Sequence, residues 1–222
     1  MVRVRSYGQS CALAKALDVI GDRWTLLIVR ELMIRDGCRY TDLRNGLPGI
    51  ATNLLAERLN DMEKSGIIAR EAAPPPVATT LFRLTARGKQ LEPVIAELGR
   101  WGAPLLGIPA GDDSFRDHWV VLPLRLYVRD GRPEEPAVRI GLRAGGEMVA
   151  LETAGDGSVR VHPGNLEDPD ARIEGPPHSI LRLLTGRMRL ADARAQGLRV
   201  EGDVKKLARF GVETPPDRAG MK

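Results

Sequence analysis

Residues 47–66, LPGIATNLLAERLNDMEKSG, decide how the first half of this 222-residue chain is read. Pro48 and Gly49 form a tight turn that runs into about four turns of helix. Leu55, Leu59 and Met62 fall at i, i+4 and i+7 and share one face. The opposite face is expected to open with Ala51, Thr52 and Asn53 and to continue with Arg58. Small hydrogen-bonding residues at a helix start, followed by a guanidinium one turn on, suit base edges and phosphates. A preceding helical pattern, residues 39–46, ends just before the turn. Helix, turn, helix with a polar outer face is the layout that sets a helix in the major groove of double-stranded DNA. Taken alone, the same pattern also fits an amphipathic helix of an ordinary bundle, so the flanks carry weight.

Upstream, Ser10 is placed to cap a helix over residues 11–20, with Leu13, Ala16, Leu17 and Ile20 at helical spacing and Gly21 ending it. Asp22 is placed to cap a second helix over 24–34 that buries Trp24, Leu27, Ile28 and Leu32. Arg39 starts the first helix of the reading pair, with Tyr40, Leu43 and Leu47 facing inward. Downstream, Gly66 stops the second helix. Two strand-like segments follow, 67–71 and 80–84, joined by a stretch containing Pro74-Pro75-Pro76. Proline cannot donate to a ladder, so this stretch is the stiff tip of a hairpin, a wing. Thr85 then caps a helix expected to run unbroken from 86 to about 106. Its stripe of Leu91, Val94, Ile95, Leu98, Gly102 and Leu105, with Trp101 beside it, needs a partner surface. A homodimer seam is the expected use, and packing within the same domain is the alternative. A two-fold dimer would match a palindromic site.

Hydrophobic residues make up 43% and charged residues 28%, which are ordinary globular values, and the length suffices for two modest domains. No apolar run approaches the ~18 residues of a membrane helix. The start, MVRVRSYGQSC, lacks the apolar core of a secretory signal, so a cytoplasmic location without membrane attachment is expected. Residues 1–110 hold 15 Lys and Arg against 11 Asp and Glu, whereas 111–222 hold 18 against 18. The whole excess of +4 sits in the half with the helix-turn-helix pattern, which favours a polyanionic partner there. Cys11 and Cys38 lie far apart and the three histidines are scattered, so no metal site is expected. There is no nucleophile–base constellation and no phosphate-cradling glycine loop. The carboxylate pairs Asp168/Asp170 and Glu134/Glu135 sit in proline-containing loops. An enzyme and a cofactor are therefore not expected.

The domain reading is 1–109 for the winged helix-turn-helix and dimerisation domain, 110–115 for a linker, 116–211 for a second domain and 212–222 for a tail. The linker is marked by Gly107-Ile108-Pro109-Ala110-Gly111 with Asp112 and Asp113. Beyond it the period changes to two. Val120, Leu122, Leu124, Leu126 and Val128 alternate, as do Val138, Ile140 and Leu142. Further strands are expected at 148–152, 158–161, 171–174 and 198–201, a helix over 177–184, and a last helix holding Val204, Leu207 and Phe210. This is an α+β domain with an antiparallel sheet and helices on one side. The inward face either packs shut or leaves room for an apolar molecule, with Leu122, Leu124, Ile140, Leu142, Ile180 and Leu184 as the candidate lining.

CALAKALDVIGDRWTLLIVREL (11–32), RYTDLRNGLPGIATNLLAERLNDMEKSGII (39–68) and FRLTARGKQLEPVIAELGRWG (82–102) together resemble the HxlR family of bacterial winged helix-turn-helix transcriptional regulators. The resemblance covers about residues 7–105 and rests on GDRW, the PGI turn, the L-x-x-R-L helix and the L-T-x-x-G entry to the last helix. It implies a homodimer acting on an inverted repeat, with Thr52, Asn53 and Arg58 on the recognition helix and Arg39 at a backbone phosphate. It also places Cys11 at the family's N-terminal cysteine, which in some members senses thiol-reactive signals. The chain departs from the family at Ala12, at the PPPVATT tip and at Ala51. The alanine at 51 forgoes a side-chain cap worth ~1 kcal/mol unless Thr52 serves instead. In the second half, ARIEGPPHSILRLLTGRMRLADARAQGLRVEGDVKKLARF (171–210) resembles the sterol-carrier-protein type 2 family, with a match over about 116–210. That resemblance implies a sheet and helices around an apolar cavity.

The leading functional expectation is a DNA-binding regulator whose second domain senses a hydrophobic effector or braces the dimer. The alternative is a lipid-binding or carrier protein with a helical dimerisation module. The polar face of Thr52, Asn53 and Arg58 and the one-sided charge have no purpose in a carrier.

Overall fold

The structure is a computed structural model that describes residues 6–73, 79–107 and 115–212. It divides into two units at 114/115, and each is taken by itself.

The first unit runs α1 (Ala12–Ile20), α2 (Thr25–Ile34), α3 (Tyr40–Gly46), α4 (Thr52–Lys64), β1 (Ile68–Ala72), β2 (Thr80–Leu84), α5 (Ala86–Lys89) and α6 (Glu92–Gly102), closing with a 3-10 turn over Ala103–Gly107. Ile28, Leu43, Leu47, Leu55, Leu59 and Ile68 are its fully buried core. The helices pack on an antiparallel hairpin in which Ile68 faces Leu84 and Ala72 faces Thr80. Cys38 adds a bridge to that hairpin by exchanging amide bonds with Phe82 (3.0 and 2.8 Å). The expected wing tip falls on residues 74–78, outside the described residues.

Three local expectations are corrected here. Cys11, rather than Ser10, occupies the cap position of α1, and Trp24 rather than Asp22 precedes α2, with a left-handed backbone (φ 81°). Leu27 is exposed, not buried. The long last helix is broken. Thr85 does cap, its Oγ1 accepting from the Gly88 amide at 3.0 Å, but α5 ends at Lys89 and α6 restarts with Pro93 in its first turn. Proline deletes an interior helical bond but is tolerated in a first turn, which is where the break places it. A β-carbon on Gly88 would lie 2.1 Å from the Ile67 carbonyl oxygen, so only glycine lets α5 approach the hairpin this closely.

The second unit opens with a 3-10 turn (Asp117–Val120) that continues as α7 (Val121–Tyr127). There follow β3 (Val128–Asp130), β4 (Arg139–Ala144), β5 (Glu147–Thr153), β6 (Val159–Pro163), β7 (Ala171–Gly175), α8 (Pro177–Leu184), α9 (Leu190–Ala195), β8 (Arg199–Gly202), a 3-10 turn (Val204–Arg209) and β9 (Phe210–Val212). The alternation at 120–128 therefore folds largely as helix, not strand. Pro123 cannot serve a ladder but fits near a helix start. The consecutive residues Val120, Val121 and Leu122 are buried together with Leu124, which no single strand face allows. Phe210, expected in a helix, begins a strand.

The five-stranded sheet has the order β6-β5-β4-β7-β8 and is mixed rather than antiparallel, because β4 and β7 run parallel at its centre. A separate antiparallel pair joins β3 to β9. The large sheet buries Ile140, Leu142, Val149, Leu151, Val161 and Ile173 on one face and exposes Arg143, Arg172, Glu174, Arg199 and Glu201 on the other. Asp170 ties the strands to the 3-10 turn Val204–Arg209. Its carboxylate accepts from the Arg139 amide (2.7 Å) and from the Lys206 ammonium (2.5 Å), and these hold it below the usual carboxylate range. Deeper, Arg209 donates twice to buried Asp130 (3.0 and 2.6 Å) and also to the carbonyls of Pro136 (2.7 Å) and Arg132 (2.8 Å).

Candidate nucleic-acid interface

Helix α4 presents a continuous outer face of Thr52, Asn53, Ala56, Glu57, Asn60, Glu63 and Lys64, all exposed. Two features aim its start. Gly49 turns the chain with φ +86°, and the Tyr40 hydroxyl donates to the Thr52 carbonyl at 2.7 Å, so the first turns of α3 and α4 are tied together. Ala51 at the cap position supplies no side-chain acceptor, and Thr52 does not replace it. The first amides of α4 therefore carry the positive end of the helix dipole without a side-chain cap, an arrangement that receives a phosphate. Thr52 and Asn53 stand beside those amides. An asparagine there can donate and accept against one base edge, as adenine requires.

Arg58 is not on that face. It is 7% exposed, and its Nη1 donates to Asp22 at 2.8 Å and to Asp61 at 3.0 Å. Arg58 lies three residues after Leu55 and four before Met62, so helical geometry puts it on the buried stripe with them. It is removed from the DNA-contacting set. Its role is to fasten α4 to the 21–24 segment, GDRW. Trp24 of that segment also stands near the turn, since a β-carbon on Gly49 would lie 3.9 Å from its ring. The two motifs that marked this region in the sequence are thus physically joined.

Arg39 is exposed at the start of α3, its amide donating to the Asp42 carboxylate at 2.9 Å. Among the described residues no carboxylate pairs with its guanidinium or with that of Arg44, also exposed, on the last turn of α3. Sequence reasoning passed over Arg44. The signal was weak: Arg44 stands one position, about 100° around the helix, from inward Leu43. At the far end of α4, Glu63 is neutralised by Arg70 from β1 (3.0 Å), which also contacts Asn60.

Of the expected seam, Leu91 and Ile95 are half-buried, whereas Val94, Leu98, Trp101 and Leu105 are exposed. No residue of α6 is buried, although α6 touches α2. Leu98 is 48% and Trp101 76% exposed. Leu13 and Leu17 of α1, expected to pack inward, are also exposed, and with Leu27 they add apolar surface to the same unit.

The two thiols differ sharply. Cys11 is exposed at the cap of α1, and the amides of Ala14 and Leu13 draw its thiol pKa down. Burial pushes the Cys38 thiol up to about 12. In the second unit, Leu122, Leu124, Ile140, Leu142, Ile180 and Leu184 are all 0–4% exposed and belong to a closed core. Leu142 alone of the six borders either of two surface depressions of this unit, in each of which at least half of the lining residues are charged. Of the two alternatives open for these six in the sequence, a face packed shut or an apolar cavity, they are packed. Among the described residues no helix is long and apolar enough to cross a membrane, and no His, Cys, Asp and Glu group of three or more could hold a metal ion.

Comparison with known proteins bears on both halves. Residues 19–107 match the family model for the HxlR-like helix-turn-helix, and residues 126–209 match that for the MDMPI C-terminal domain. The sterol-carrier resemblance of the second half is carried by motif order alone. A Bacillus subtilis protein named as the uncharacterized HTH-type transcriptional regulator YvaP is 31% identical over 103 residues, 46% of this chain and 90% of that protein. A Synechocystis protein, also named as an HTH-type transcriptional regulator, is 34% identical over 100 residues, 45% of this chain and 73% of that protein. The solved reduced form of the transcriptional regulator YodB from B. subtilis aligns with a TM-score of 0.40 at 27% identity, covering 46% of this chain and all of that one. With the YvaP protein 31% identical and covered over 90% of its length, the chain belongs to the HxlR-like helix-turn-helix family of transcriptional regulators.

Proposed function

We propose that the protein acts as a homodimer that reads an inverted-repeat operator by setting the start of α4 in the major groove. The observation that carries this reading is the exposed Thr52–Asn53 corner with uncapped amides beside it. Base edges are met by Thr52 and Asn53, and backbone phosphates by Arg39, Arg44 and the α4 amides. Glu57, also on this face, disfavours docking deeper along α4 and confines contact to its first turns. The seam is the exposed apolar face of α6, with α1 adding to it. A two-fold pairing there repeats α4 in two half-sites. The test is capture of genomic fragments by the purified full chain at stated salt. Recovery of one recurrent inverted repeat supports the reading, and unselective recovery ends it.

Cys11 serves as the thiol through which an electrophile or oxidant acts, since it combines exposure with a lowered pKa. The second unit braces the dimer. A hydrophobic effector would enter only by parting the helices from the sheet, which the packed residues Leu124, Ile140, Leu142 and Ile180 oppose. The same closed core argues against a lipid carrier.

A further inference from the structure

The second unit, residues 115–222, holds 18 Lys and Arg against 16 Asp and Glu, and its cations are not evenly spread. Residues 177–198 hold four arginines, Arg182, Arg187, Arg189 and Arg194, and one acid, Asp192. All four arginines are exposed, and among the described residues none is paired with a carboxylate. The fold gathers three of them, Arg182, Arg187 and Arg189. Helix α8 ends at Gly186 (φ +68°), whose conformation lets the Arg187 amide bond back to the Arg182 carbonyl at 2.8 Å. Arg189 is then the cap residue of α9, and Arg194 lies in the last turn of that helix. Arg182, Arg187 and Arg189 line one open depression of about 560 Å3, with Asp192 its single acid.

One cation would suffice to complement the carbonyl end of α8. Three guanidinium groups around one depression repel one another and call for an anion. Guanidinium is the side-chain group that meets phosphate oxygens in bidentate fashion. No large apolar side chain is exposed over 177–198, so the patch lacks the anchors of a lipid-surface contact.

We propose that this arginine patch binds backbone phosphates of the DNA flanking the operator, so that each chain grips the duplex twice. The proposal rests on the operator reading above. Because both units belong to one polypeptide, a docked α4 holds the patch near the same duplex at high effective concentration. Contacts to the backbone add affinity and salt dependence without adding sequence preference.

The test uses the full chain and a duplex that it selects from a random-sequence pool. Affinity is measured as a function of salt on the minimal duplex and on one extended by roughly 15 base pairs on each side, enough for further backbone contacts. The wild-type protein is expected to gain on the order of tenfold from the extension, with a steeper salt slope of about 0.9 for each phosphate neutralised. A variant with Arg182→Gln, Arg187→Gln, Arg189→Gln and Arg194→Gln is expected to match wild type on the minimal duplex and to lose the gain on the long one. Should that variant melt early, the pairs Arg182→Gln with Arg187→Gln and Arg189→Gln with Arg194→Gln are read instead, each expected to lose part of the gain. A wild-type protein indifferent to the extension, or a folded variant that keeps the full gain, overturns the proposal alone. Failure of the wild-type protein to select any duplex overturns the operator reading and this proposal together.

Discussion

At the residue scale, Asn53 and Arg58, five positions apart on α4, separate recognition from structure. Arg58 holds α4 in place, so Arg58→Ala is expected to lower the stability of the first unit. Its partners Asp22 and Asp61 are 38% and 39% exposed and regain water when it is lost. The cost is therefore put at about 1–2 kcal/mol, read in urea denaturation. Asn53→Ala should leave stability unchanged and weaken binding to the selected operator by ~1–3 kcal/mol, read by gel-shift titration. If the two variants exchange these phenotypes, the assignment of faces on α4 is wrong. The thiols give a third contrast. Cys11 holds a larger thiolate fraction near neutral pH than an ordinary cysteine, so its alkylation by iodoacetamide should level off at a lower pH. Cys38, with its thiol pushed up to about 12, should stay unlabelled until the unit unfolds. Peptide mapping after labelling across pH 6 to about 9 separates the two.

At the scale of elements, replacing Leu98 of α6 by Glu places a charge on the exposed apolar face and should convert dimers to monomers, as sedimentation velocity would show. A dimer that survives moves the seam elsewhere. Element boundaries of the first unit were legible where turn and cap residues mark them, at Gly21, the Pro48-Gly49 turn, Gly66 and Thr85, whereas the caps expected at Ser10 and Asp22, the inward Leu13, Leu17 and Leu27 and the unbroken last helix are not what the structure has. Arg58 was misassigned because a long polar side chain was read as outward by chemistry, although its spacing from Leu55 and Met62 already placed it inward. Periodicity over 120–128 misled for another reason. A fully buried helix and a half-buried strand produce similar apolar runs, and only Pro123 separates them. The parallel pairing of β4 with β7 had no local signature at all. It depends on where residues 164–170 carry the chain after β6, which is a property of the assembled sheet.

At the scale of the whole molecule, acid should act first where carboxylates are held charged by buried or bridging partners. Hydrogen bonds from Arg209 lower the Asp130 pKa, and Lys206 does the same for Asp170. Both folded values lie below the unfolded carboxylate value of about 3.9, so their stabilisation is fully present above that pH. It is lost as pH falls through the depressed values. Hydrogen exchange at the amides of β3 and β9 should therefore accelerate below about pH 4, before the first unit opens. Asp130→Ala should bring on the same loosening at neutral pH, at a cost of about 3 kcal/mol, because Arg209 is left buried with only the more distant Glu135 carboxylate, at 3.7 Å, as counter-ion. Equal behaviour of wild type and variant would remove this pair from the account.

The pairing of β3 with β9 also fixes an order of events during synthesis. Strand 128–130 and its ion pair must wait for residues 209–212 to leave the ribosome, while every described strand and helix of the first unit has by then emerged. Domains made first fold first. The DNA-reading unit is therefore complete while β3 of the second half still lacks β9, the strand it pairs with. A nascent chain arrested before residue 209 should show a protease-resistant first unit joined to a digestible second one.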